Sequence, residues 1–210
     1  MIAALDEDGT LGEPRLLSKG INGDIPSKPF GDASEYAFSP DGSTIYFSVR
    51  NLSAGEPWST NFDIYAVPSD GSAEPKNLYY LAMARPGMES DRFAIKAMHL
   101  DTGETREVAG DWDRSAGPLK ESVDGKTLYT TTDDNGQHPL FAISVANGKV
   151  QRIVSGGQVS GFDVGAKSLL VSRNDLRRPA DLYRSDLRGG GLRQISQFNA
   201  ARMKEIRTGE

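Results

Sequence analysis

Apolar and polar residues alternate with a period of two over short stretches of this chain, and no stretch of comparable length carries a helical stripe. In the clearest case Ile45, Phe47 and Val49 alternate with Tyr46, Ser48 and Arg50, which predicts a strand with only the first set buried. Turn signals separate the alternating stretches. In Ser39-Pro40-Asp41-Gly42 proline presets φ at the first central position, aspartate accepts the second, and glycine can take the positive φ of a hairpin exit. Asp124-Gly125, Asn135-Gly136 and Asn147-Gly148 repeat that chemistry.

The turns recur at intervals. YAFSPDGSTIYFSVR from Tyr36 to Arg50 and SVDGKTLYTTTDDNG from Ser122 to Gly136 share one plan of strand, Asp-Gly turn and β-rich strand. Asp41 and Asp124 are 83 positions apart, two units of about 42 residues. The other part of the unit recurs in DIYAVPSDGSAEPKNL, AIKAMHLDTGETREV, PLFAISVANGKVQRI and DLYRSDLRGGGLRQI, with Gly71, Gly103, Gly148 and Gly190 as the turn glycines. Four strands and no helix in about 40 residues predict a β-propeller blade, so the expected fold class is all-β.

The spacing divides the chain into a half blade at 1–20, blades at about 33–78, 79–110, 114–156 and 157–198, and a linker at 199–210 with no blade pattern. Gly71 and Gly103 are 32 residues apart, against 45 and 42 for the next two intervals. The 79–110 unit is therefore expected to be truncated by one strand, with residues missing between Leu78 and Tyr79.

Composition narrows the function classes. Of 210 residues 37% are apolar, enough for a buried core, and 23 Gly with 11 Pro suit many short strands. With 24 Lys plus Arg against 29 Asp plus Glu the formal charge is -5, which lacks the basic face of a nucleic-acid binder. The absence of Cys excludes disulfides, thiolate catalysis and Cys-ligated zinc. No apolar run approaches the ~18 residues of a membrane span. Met1 is not followed by a basic and then apolar leader, so the chain is expected either to be cytosolic or to have lost its start.

No catalytic constellation stands out. There is no G-x-S-x-G elbow; in GQVSG (157–161) Ser160 is one place late and reads as a strand residue. His99 and His138 read as structural imidazoles. DEDG (6–9) and TTDDNG (131–136) lack the full ligand ladder of a calcium loop and read as turns. RGGGLR (188–193) falls at a hairpin turn, and Arg202, Lys204 and Arg207 read as a solvated or docking face. No metal or cofactor is expected.

Two insertions between second and third strands remain. NLSAGEPWSTNFD (51–63) carries Glu56, Trp58 and Asn61, and MARPGMESDRF (83–93) carries Arg85, Glu89, Asp91 and Arg92. Long loops on a rigid β scaffold are common seats of binding groups. A carboxylate beside an aromatic ring can hold an ammonium group; the plainer reading is that these charges solvate the loops or pair with one another.

Longer strings carry a resemblance. EPWSTNFDIYAVPSDG, MARPGMESDRFAI, DWDRSAG, DDNGQHPLFAI, RPADLYRSDL and QFNAARMKEI resemble the propeller domain of bacterial prolyl oligopeptidase-family serine peptidases, in the dipeptidyl peptidase and acylaminoacyl peptidase branch. The resemblance implies a propeller of seven or eight blades over an α/β-hydrolase domain with a Ser-Asp-His triad, a peptide substrate, and export to the periplasm or beyond. The 210 residues hold four and a half blades and no hydrolase domain, so the expectation is part of a larger enzyme that releases N-terminal dipeptides or acylated residues. By the same resemblance Glu56 and Glu89 would hold the substrate's α-amino group, with Trp58 and Arg92 shaping the pocket. The alternative is a non-enzymatic TolB-like or WD-like propeller that binds a protein or glycan. Open strand edges also admit assembly with another chain, including a homo-oligomer.

Overall fold

The computed structural model describes residues 5–14, 23–28, 31–39, 42–49, 63–69, 77–85, 88, 90–99 and 102–207. Two compact units divide the chain, Met1–Pro75 and Lys76–Glu210. The described elements are almost wholly β. Each sheet is an antiparallel meander in which strands adjacent in sequence are adjacent in space, as the short polar turns between alternating stretches require.

The first unit holds β1 (Tyr36–Phe38), β2 (Thr44–Val49) and β3 (Asp63–Pro68), in that order. Ile45, Phe47 and Val49 form its buried centre with Ile25, Tyr65 and Val67 packed against them. The paired Phe47 and Tyr65 stack at 5.8 Å between ring centroids. One expectation is corrected here. Tyr46, placed on the exposed face by strict alternation, is only 6% exposed, so β2 is covered on both faces at that point. Of the half blade expected at 1–20, the described part is a turn bridged by Leu5 and Leu11.

The second unit holds three sheets. β4 (Asn77–Ala82), β5 (Ala94–His99) and β6 (Thr105–Val108) form a three-stranded one. β7 (Lys120–Glu121), β8 (Thr127–Thr131), β9 (Leu140–Ser144) and β10 (Val150–Val154) form the next. β11 (Gln158–Val164), β12 (Leu169–Asp175), β13 (Arg178–Ser185) and β14 (Arg193–Gln194) form the last.

Two apolar layers join these sheets. Ile95, Ala97 and Val108 meet Leu128 and Ile143 in one layer. Tyr129, Leu140 and Val154 meet Val159, Leu169 and Val171 in the other. The β7–β10 sheet thus sends alternate side chains into a core on each of its faces, the stacking geometry of sheet on sheet.

Turn glycines behave as their φ values demand, with one shift. Gly103, Gly125 and Gly148 take positive φ, whereas at the last hairpin Gly189 and Gly191, not Gly190, do so. Gly189 also has no room for a side chain, since a Cβ would lie 2.1 Å from the Ile153 carbonyl oxygen. Beyond β14 the chain forms a four-residue helix, α1 (Ala200–Met203). Asp181, 9% exposed, ties this segment down: Oδ1 accepts from Ser196 Oγ at 2.6 Å and Phe198 N–H at 3.1 Å, and Oδ2 from Gln194 Nε2 at 3.0 Å.

Leu140 is fully buried in the layer between the last two sheets. Leu140→Ala should lower unfolding free energy by about 2–5 kcal/mol, read as a lower midpoint in urea denaturation of the full chain.

Candidate functional site

Face-to-face packing in the second unit brings the loops at one end of neighbouring sheets together. The loop from β4 to β5 (83–93), the link from β6 to β7 (109–119) and the loop from β8 to β9 (132–139) are stitched by short polar contacts. Ala116 N–H donates to the Phe93 carbonyl at 3.0 Å and Gly117 N–H to the Thr131 carbonyl at 2.9 Å. Phe93 N–H donates to Ser115 Oγ at 3.1 Å, and Thr132 Oγ1 to the Ser115 carbonyl at 2.5 Å. These bonds satisfy backbone groups that the loops would otherwise bury unpaired. Between the loops lies a cleft of about 420 Å³, lined by Ser90, Arg92, Arg114, Ser115, Asp133 and His138 among others.

Its charged groups are braced from behind. Arg92 donates from Nη2 to Glu107 Oε1 at 2.6 Å and from Nη1 to the Trp112 carbonyl at 3.0 Å. Lys96 Nζ reaches the other Glu107 oxygen at 2.8 Å. Hydrogen bonds from Lys96 and Arg92 hold the Glu107 carboxyl below its ordinary value. At the loop mouth Arg85 and Asp91 form a bidentate pair, which lowers the Asp91 carboxyl.

A second cluster centres on Asp134, which is 7% exposed. Arg114 donates to its Oδ1 from Nε at 3.3 Å and from Nη2 at 3.1 Å, and Arg152 pairs with Oδ2. A buried carboxylate with guanidinium groups on both oxygens meets the requirement that buried charge be paired. Asn135 and Gly136, at φ +50° and +73°, form the tight turn of this loop. His138 Nδ1 lies 2.8 Å from Asp133 Oδ1, and its backbone bridges to Gln158 in the next sheet.

Of the residues singled out from sequence, Arg92 and His138 stand in this cleft. Glu56, Trp58, Asn61 and Glu89 lie outside the described residues. Ser160 is in β11, with its hydroxyl 2.9 Å from Ser172 Oγ on β12. Arg114 and Asp134 were not legible as a site, although DWDRSAG and DDNGQH contain them; Arg114, Asp134 and Arg152 meet only through strand pairing. The cleft presents guanidinium, carboxylate, hydroxyl and imidazole groups, a lining suited to polar parts of a ligand.

No protein-family model matches the chain. Its sequence is similar to Dipeptidyl-peptidase 5 of Aspergillus fumigatus, at 31% identity over 226 aligned residues that take in 91% of this chain and 31% of the fungal protein. The chain thus spans about a third of the length of the curated relatives it matches. In fold it is similar to the Pyrococcus horikoshii acylaminoacyl peptidase, with a TM-score of 0.62 and 20% identity over 83% of this chain and 29% of that one. It is likewise similar to the β-propeller domain of the Trilobed protease from Pyrococcus furiosus, with a TM-score of 0.59 and 17% identity over 81% and 54%. These likenesses and the meandering sheets establish the β-propeller fold class.

Two outcomes test the braced charges. Glu107 has a depressed carboxyl, so its stabilisation is present above the ordinary value of 4.5 and is lost as pH falls through the lower folded value. Glu107→Gln should reduce the urea midpoint near neutral pH and flatten its acid dependence. Asp134→Asn leaves two guanidinium groups without their carboxylate and should cost about 2 kcal/mol, measured by the same denaturation.

Proposed function

We propose, on the premise that this β-propeller is related to peptidases of the prolyl oligopeptidase family, that it is the propeller part of a serine peptidase acting on short peptides. In this reading the propeller binds and filters substrate, while the nucleophile belongs to a linked α/β-hydrolase domain. The observation that carries the proposal is the similarity to Dipeptidyl-peptidase 5 across 91% of the chain. It favours release of N-terminal dipeptides over acylated residues. An exported location belongs to the same reading.

The loops between second and third strands are the proposed substrate-facing groups. Glu56 and Glu89 are each a candidate to hold the free α-amino group by charge-assisted hydrogen bonds, with Trp58 a neighbour of Glu56 in sequence. Arg92 would shape the pocket wall, a role supported by its position on the cleft and its bracing through Glu107 and Trp112.

The parent enzyme, assayed on dipeptidyl coumarylamides with free and with acetylated N-termini, should cleave the free series faster. Glu56→Gln and Glu89→Gln should raise KM for the free series by about tenfold and leave the acetylated series unchanged. Hydrolysis of neither series, together with saturable binding of a protein or glycan, would overturn the peptidase reading.

A further inference from the structure

The β7–β10 and β11–β14 sheets each begin with a strand that pairs antiparallel to the second. The β4–β6 sheet has none before β4, so among the described residues β4 is paired on one edge only. The spacing of the turn glycines shows the same deficit, 32 residues from Gly71 to Gly103 against 45 to Gly148. The difference is the length of one strand and its turn.

Strand register identifies the groups on the open edge. His99 N–H donates to the Glu104 carbonyl at 2.8 Å, so His99, Ala97 and Ile95 turn their backbone groups towards β6, while Met98, Lys96 and Ala94 turn theirs towards β4. Their partners on β4 are Leu78, Tyr80 and Ala82. The N–H and C=O groups of Tyr79 and Leu81 therefore point away from β5. The side chains of these two residues pack against the apolar layer beneath the sheet, which fixes the rotation of β4 and holds the edge in a binding orientation. A strand edge displayed in this way is a template for another strand.

A carboxylate faces the same layer: Glu121 pairs with Leu128 on β8, whose side chain lies in the apolar layer that Tyr79 and Leu81 join. Glu121 on β7 is half-buried, and burial together with Asp124 raises its carboxyl. Tyr79 is raised in turn by burial and by Glu121. Among the described residues no hydrogen bond or ion pair holds the Glu121 carboxylate. A cation supplied from outside would meet it at the Asn77–Tyr79 end of the edge.

We propose that the open edge of β4 captures an extended peptide segment from a separate molecule, apolar at alternate positions and antiparallel to β4, with a lysine or arginine near its C-terminal end to pair with Glu121. The orientation follows that of β7 on β8 and β11 on β12, which places the end of an added strand opposite Asn77–Tyr79. This surface is independent of the peptidase reading, since it needs only the sheet edge and Glu121.

The probe is a fluorescein-labelled hexapeptide of sequence Val-Thr-Val-Thr-Lys-Thr, with lysine in the same alternate set as valine because Glu121 faces the layer that Tyr79 and Leu81 join, titrated into the full chain by fluorescence anisotropy with hydrogen exchange read at single amides. Saturable binding should slow exchange at Tyr79 and Leu81. N-methylation of one alternate set of peptide residues should abolish binding, and N-methylation of the other set should leave it, because only one set faces β4. Glu121→Gln should weaken the lysine peptide about fivefold and leave its Lys-to-Thr analogue unchanged. Unslowed exchange at both amides, equal loss from both methylation patterns, or equal binding of the lysine peptide to Glu121→Gln would overturn the proposal. So would a concentration-dependent dimer in sedimentation velocity that protects Tyr79 and Leu81 without peptide, which would identify a second copy as the occupant.

Discussion

Burial of the β7–β10 sheet on both of its faces is the constraint on which the rest of the second unit depends. Leu128 and Ile143 serve the layer shared with β5 and β6, and Tyr129 and Leu140 serve the layer shared with β11 and β12. With apolar side chains required on both sides, polar groups in the strand must be small and satisfied. Thr130 meets that condition: it is fully buried, and its hydroxyl donates to the Gly117 carbonyl at 3.1 Å. The same bond anchors the link into β7, so the packing that stabilises the sheet also fixes one wall of the cleft.

The carboxylates that are buried or half-buried organise the segments around the sheets. Asp134 gathers Arg114 and Arg152 around the β8–β9 loop. Asp181 gathers the side chains of Gln194 and Ser196 and the Phe198 amide, and so fastens the segment beyond β14. Glu107 serves the β4–β5 loop through Arg92. Each acts as a hydrogen-bond acceptor for groups distant in sequence, and each would be costly to leave unpaired. A cleft built this way has hydrogen-bonded walls and a polar lining.

Much of this was legible beforehand. Turn chemistry at Asp124-Gly125 and Asn147-Gly148 marked hairpins because only a few residue types accept positive φ, and their spacing gave the fold class. Alternation was less faithful. Tyr46 reads as an outward residue yet is buried, because burial on a second face depends on a neighbour that periodicity does not reveal. Gly190 reads as the turn glycine of a three-glycine run, while the turn places positive φ on Gly189 and Gly191. Of the loop residues singled out, Arg92 has a described setting, as a braced side chain on the cleft, and Glu56, Trp58 and Glu89 do not fall within the described residues.

Sequence alone determined the local decisions: where strands run, where the chain turns, and that the unit repeats. These depend on φ preferences and on side-chain alternation over a few residues, both written in short strings. Tertiary structure alone decided which charges meet and which backbone groups the open edge presents. Arg114, Asp134 and Arg152 become one cluster, and Tyr79 and Leu81 become the outward groups of β4, only through strand pairing and sheet stacking. Contacts between residues far apart in the chain carry no local signature, so their energies enter only when the sheets close on one another.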